Sequence, residues 1–242
     1  MRTCIALLLS AALIACAQLP GHSAATVEQE RLRAHIEFLA SDALEGRNAG
    51  TTGYDVAAEY VAAEFRQLGL VPAGNAGSYF QQVPLREHSL VKGSASAVIE
   101  NAAGRTALRY PDDFMMGPDR NRPVARLDDA ELVFVGYGIV APDFDHDDYA
   151  GLDVAGKIAV VLSGRPEAWP TEEGAHLASG TQKARHAVAH GAIGIVVLHT
   201  PRDEAVFPWD DSTKHLDRPG MSWIGPDGMP DDYLPEIQGA AT

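Results

Sequence analysis

His146 and Asp148 stand two residues apart in "GIVAPDFDHDDYAG" (138–151), the spacing of a zinc-ligand pair, and Asp143, Asp145 and Asp147 add oxygen donors around them. On a strand, residues two apart share a face, so both could reach one cation. Pro142 and the density of aspartates oppose a strand and favour a turn, which leaves the carboxylates in solvent. The aspartates at 143, 145 and 147 also begin the pattern of an EF-hand calcium loop. That pattern then fails, because Asp148 stands where the loop needs glycine and Val154 where it needs glutamate. The segment is expected to be a charged turn leading into Tyr149, with no metal ligand in it.

Other chemically suggestive pairs fail on their neighbours. His186 and His190 lie four apart, as in the zinc-binding H-E-x-x-H helix, but the intervening "AVA" supplies no general base. Histidines that face solvent or interact with the helix end are expected there. His190, beside Gly191, can favour the helix C-terminus when protonated. Glu172 and Glu173 could pair a base with a ligand, yet they sit in the proline-bearing "RPEAWPTEEGAH", which reads as a solvated acidic loop. "VLSGR" and "LASGT" lack the G-x-S-x-G elbow of a serine nucleophile, and "FVGYGIV" lacks the third glycine and the helix that nucleotide binding needs. No catalytic and no metal-binding residue is assigned.

Around these residues the apolar spacing lays out helices and strands. Thr26 and Gln29 make a T-x-x-Q capping box, and Val27, Leu32, Ile36, Leu39 and Ala40 share one stripe, which predicts a helix over 27–40. After the loop "SDALEGRNAGTTG", Thr52 and Asp55 begin a second helix through Tyr54, Ala57, Ala58, Val61, Phe65 and Leu68, ended by Gly69. "YFQQVPL" and "SAVIE" read as strands. "GRTALRYPDDFMMGPDRNRP" reads as a crossing between two structural units. Beyond it, "ELVFVGYGIV", "KIAVVLS" and "IGIVVLH" are apolar strands. Between the last two, Ser179 or Thr181 caps a helix packed through Ala184, Ala187 and Val188 and closed by Gly191, so the whole is a parallel βαβ crossover. The closing "PWDDSTKHLDRPGMSWIGPDGMPDDYLPEIQGAAT" (208–242) reads mostly as loop with one strand at "YLPEIQG", and no internal repeat is visible.

The chain has 242 residues, enough for one large domain or two small ones, and 46% apolar content is that of a core-forming protein. A net charge of -14, without a lysine or arginine cluster, excludes nucleic acid as an expected partner. Arg2, the apolar run over 5–14 and the small residues after it form an export signal over 1–25, too short to span a bilayer. Within it, Leu13-Ile14-Ala15-Cys16 resembles the lipobox of bacterial lipoproteins, in which Cys16 carries a diacylglycerol. Ala17 follows it rather than the aspartate of inner-membrane retention. The alternative is ordinary cleavage near Ser23-Ala24-Ala25. Cys4 and Cys16 are the only cysteines, so the mature chain can form no internal disulfide. The expected location is periplasmic, at the outer membrane, with Cys16 as the sole attachment to lipid.

Together these motifs resemble one family, the exported co-catalytic zinc aminopeptidases related to bacterial leucyl aminopeptidase and glutamate carboxypeptidase II. "IEFLASDALEGRNAGTTGYDVAAEYVAAEFRQLGLVPAG" is similar to the family's opening, with Glu45-Gly46-Arg47, Gly50, Gly53 and the helix ending at Gly69-Leu70. "LVFVGYGIVAPDFDHDDYAGLDVAGKIAVVLSGRP" and "KARHAVAHGAIGIVVLH" resemble the protease-associated domain inserted in many of these enzymes.

The resemblance implies an α/β fold. N-terminal helices and the edge of a zinc-peptidase catalytic domain would occupy 26–110, and an inserted protease-associated domain with mixed strands and a βαβ unit would occupy 111–242. It makes Asp147 to Gly151 a turn outside the active site. The family's two zinc ions are held by a His-x-Asp, a bridging aspartate, a Glu-Glu pair, a further aspartate and a histidine, all downstream of the inserted domain. This chain is therefore expected to hold no cofactor and to be inactive alone, with peptides or proteins as substrates of the full enzyme. The rival expectation is a stand-alone, lipid-anchored binding module that uses the protease-associated domain.

Overall fold

The structure, a computed structural model, describes residues 28–241. The described residues form two compact units, divided between Gln82 and Val83. The expected export signal, Cys4, Cys16, Thr26 and Val27 lie outside the described residues.

In the first unit, helix α1 (Gln29–Leu39) is followed by a short 3-10 segment, Asp42–Arg47, and helix α2 (Thr52–Gln67). The α2 cap is Thr51, one residue before the expected Thr52: its backbone is still extended and its hydroxyl accepts from the Tyr54 N–H at 3.4 Å. The left-handed Gly69 follows its end, a conformation that glycine adopts without a side-chain clash. Leu44 is buried, and a methyl group on Gly53 would run into the Leu44 carbonyl, so the first turn of α2 and the 3-10 segment touch backbone to backbone. Tyr60 joins the helices, its hydroxyl 2.7 Å from His35 Nδ1 and its ring 4.3 Å from that of Phe38. The apolar stripe of α1 stays largely in solvent, with Leu32 at 48% and Ile36 at 57% exposure.

The second unit mixes small sheets with short helices and has α/β character. Strand β1 (Leu85–His88) pairs antiparallel with the much later β9 (Gly220–Trp223), and β2 (Ala97–Asn101) with β3 (Gly104–Leu108). The second hairpin falls partly in sequence read as a crossing, because "NAAG" (101–104) supplies a tight turn between the two strands. The central sheet has the order β10-β8-β7-β4, all parallel, from β4 (Leu132–Phe134), β7 (Ile158–Leu162), β8 (Gly194–Leu198) and β10 (Gly239–Ala241).

The apolar run "ELVFVGYGIV", expected as one strand, divides into β4 and β5 (Val140–Ala141) because Gly136 and Gly138 both take positive φ between them. A side chain at Gly138 would lie 2.6 Å from Val161 Cγ1, which explains glycine there twice over. Strand β5 pairs with β6 (His146–Asp147). Helix α3 (Thr171–Leu177) forms in the expected acidic loop. Helix α4 (Gly180–Ala189) makes the crossover between β7 and β8, capped by Ser179 accepting from the Gln182 N–H and followed by the left-handed Gly191. Two further short helices follow, α5 (Pro201–Val206) and α6 (Trp209–Thr213), the second in sequence read as loop. The core packs Val135, Tyr149, Val154, Ala159, Val161 and Ala187 together.

Candidate functional site

The His146–Asp148 pair is real but structural. His146 Nε2 lies 3.1 Å from Asp148 Oδ1, within ion-pair reach though not aligned as a hydrogen bond. Asp148 Oδ2 accepts from the Ile139 N–H at 3.0 Å, the Asp148 N–H donates to the Ile139 carbonyl, and Asp147 Oδ1 accepts from the Tyr149 N–H. The His146 ring stands edge-on to Trp169, which stacks on Phe144 at 4.7 Å. Asp148 is thus half-buried and bonded, a correction to the solvated turn expected here. The left-handed Asp145 closes the turn sharply enough to fold β6 back on β5. Among the described residues no group of three His, Cys, Asp or Glu side chains could hold a metal ion. The donors present do not fit a zinc pair.

Tyr149 follows directly, 2% exposed, with its ring stacked on His190 at 4.2 Å and its hydroxyl without a partner among the described residues. Burial, helped by Asp148 and Asp147, pushes its pKa up to about 12. The histidines of α4 also turn inward. His186 Nδ1 accepts from the Val140 N–H at 3.3 Å, and His190 Nδ1 lies 2.8 Å from the His186 carbonyl. His190 is the C-cap of α4 and so takes the helix-end role expected of it, whereas His186 packs inward rather than facing solvent, and burial holds its pKa below the usual value. Glu172 and Glu173 are exposed in the first turn of α3.

Sequence reasoning passed over Lys183. It sits on the core side of α4, one turn before Ala187, and is 2% exposed. Its ammonium donates to the carbonyls of Tyr137, Leu162 and Gly164 at 2.8, 2.7 and 2.8 Å, which ties α4 to the ends of β7 and of the β4 loop. Burial lowers its pKa to about 8, against the pull of Asp148 and Asp203. All three N–H bonds are used, so it is a structural cation and not a nucleophile. The only signal in the sequence was a lysine in step with an apolar stripe.

Parallel strands commonly place ligand sites at their carboxyl ends. Here those ends carry Ser163, after β7, and His199, after β8. Ser163 donates to Asp203, whose other oxygen accepts from the Thr200 N–H and hydroxyl at 2.8 and 2.6 Å. Burial would raise the Asp203 pKa, but the hydrogen bonds from Ser163 and Thr200 outweigh it and hold it low. His199 instead meets Glu204 at 2.8 Å, and Glu204 also accepts from the Trp209 N–H. Serine and histidine are thereby bonded to different carboxylates, so they make no nucleophile–base pair.

A cleft of about 760 Å³, of ligand-binding size, opens in the second unit. Its apolar lining includes Met115, Met116, Ile195, Val197, Leu216 and Ile237. Asp119, also in the lining, is gripped by Arg122 at 2.7 Å and accepts from the Tyr233 hydroxyl at 3.2 Å. Met115 and Met116 were read only as part of a crossing.

The PA domain family matches residues 128–228, the stretch from β4 through β9. No curated protein matches the chain. Among solved structures, the chain is similar to the aminopeptidase from Aneurinibacillus sp. strain AM-1, with 22% identity and a TM-score of 0.37, over 70% of this chain and 32% of that one. It therefore spans about a third of that structure's length. The second unit carries a PA domain, a peptidase-associated domain.

Proposed function

We propose that the PA domain serves an exported zinc-dependent aminopeptidase as a surface that meets peptide or protein and shapes its access, while the residues described here perform no hydrolysis themselves. The match of residues 128–228 to the PA domain family carries this reading, supported by the resemblance of the segment around Glu45-Gly46-Arg47 to the opening of that enzyme family. In this reading peptides are the substrate class and the two zinc ions are held by other residues of the complete enzyme. The described residues offer no donor set for a metal pair. Export, and attachment to the outer membrane by lipid on Cys16, belong to the same proposal.

The test is hydrolysis of a peptide-like chromogenic amide by the purified chain, with added zinc and with chelator. No turnover in either condition is expected. Turnover that chelator abolishes overturns the accessory role.

A further inference from the structure

The charges lining the cleft are unevenly matched. Its carboxylates, Asp119 and Asp232, are each paired with an arginine outside the lining, Arg122 and Arg185. Its cations are not paired in this way. Arg120 donates to the backbone carbonyls of Asp231 and Asp232 at 2.9 and 2.7 Å, and Lys183 to its three carbonyls. Arg218 has no carboxylate at ion-pair distance among the described residues. His88 adds a buried Nδ1 without a hydrogen-bond partner among the described residues. In a chain of net charge -14, this concavity keeps uncompensated positive charge beside a methionine-rich apolar lining. That combination suits a ligand with one anionic group and an apolar body, since a guanidinium fork matches a carboxylate and methionine adapts to varied apolar shapes.

Gly239 and Ala241 of β10 also line the cleft, and among the described residues β10 is an edge strand of the central sheet. An edge strand offers backbone groups to an extended chain, which a fatty anion cannot use. We propose that the cleft binds the free carboxy-terminal end of an apolar peptide, its last side chain against Met115 and Met116 and its α-carboxylate against Arg218. This assignment rests on the peptide-meeting role proposed above and gives it a site and a ligand.

Calorimetric titration of the full chain with N-acetyl-Ala-Leu-Phe, its carboxamide and decanoate tests it. The free acid is expected to bind about tenfold more tightly than the carboxamide, the worth of one charge-assisted contact. Arg218→Gln should bring acid and carboxamide to within about twofold of each other. Arg218 is exposed, so this variant removes a charge without opening the core. Equal affinity for acid and carboxamide, absence of binding by the acid, or tighter binding of decanoate than of the peptide acid overturns the proposal. Such a failure leaves the accessory role standing, because the hydrolysis assay decides that role separately.

Discussion

The ring of Tyr149 lies flat on that of His190, with centroids 4.2 Å apart and planes 9° from parallel, while its hydroxyl finds no partner among the described residues. The ring is therefore expected to stabilise the core and the hydroxyl to work against it. Tyr149→Phe should leave the free energy of unfolding unchanged or raise it by up to about 1 kcal/mol, whereas Tyr149→Ala should cost about 3–5 kcal/mol. Burial raises the phenol to about 12, so the neutral form is the one the fold prefers. That preference is complete below the ordinary value of 10.0 and is lost as pH rises through the folded value. Urea unfolding between pH 9 and about 12 should accordingly show an alkaline loss in the parent that the Phe variant lacks.

Lys183 works in the opposite sense. Its folded value, about 8, lies below the ordinary 10.5, so between those values the unfolded chain binds more protons and the fold gains stability as pH rises. Below about 8 both states are protonated and the dependence flattens. Lys183→Met abolishes this slope. It also leaves the carbonyls of Tyr137, Leu162 and Gly164 without their shared donor, at a cost of about 2–5 kcal/mol. Equal slopes in parent and variant between pH 8 and 10 would refute the assignment.

The crossover that Lys183 anchors was the most legible part of the sequence. "KIAVVLS" and "IGIVVLH" are apolar runs of strand length, and Ser179 and Gly191 bound the helix between them, so local chemistry and tertiary packing agree. The divided strand at Gly136 and Gly138 was less legible, because its apolar pattern continues through a bend that the packing of Val161 requires. The β1–β9 pairing was invisible, since it joins residues more than a hundred positions apart without a periodic signal. The cleft was hidden for the same reason: Met115, Ile195 and Ile237 come together only in the fold. The motif most suggestive of chemistry, His146 with Asp148, is held to the backbone of Ile139 and the ring of Trp169 by contacts that no spacing rule encodes.

Gly53 inverts a familiar substitution. Replacing a helical glycine by alanine ordinarily stabilises by about 1 kcal/mol. Here the new methyl meets the backbone carbonyl of Leu44, which has no flexible end to move aside. Gly53→Ala is expected to destabilise by about 1–3 kcal/mol, as overpacking does, and to lower the melting temperature of the first unit. An unchanged or higher melting temperature would show that the 3-10 segment yields to α2.

Asp148 decides between a turn fastener and a metal ligand. As a fastener it accepts from the Ile139 N–H and fills the space beside Gly136, where an added methyl would lie 2.8 Å from its Oδ1. Asp148→Ala should then cost about 1–3 kcal/mol by leaving that N–H unpaired in a half-buried site, and Asp148→Asn should cost less, because the amide oxygen still accepts. A ligand role predicts instead that zinc or calcium raises the melting temperature of the parent and that both substitutions remove the rise. With one carboxylate oxygen on Ile139 and His146 wedged against Trp169, the expected result is no metal-dependent shift in parent or variant. A rise with zinc that Asp148→Asn abolishes would return this turn to the catalogue of metal sites.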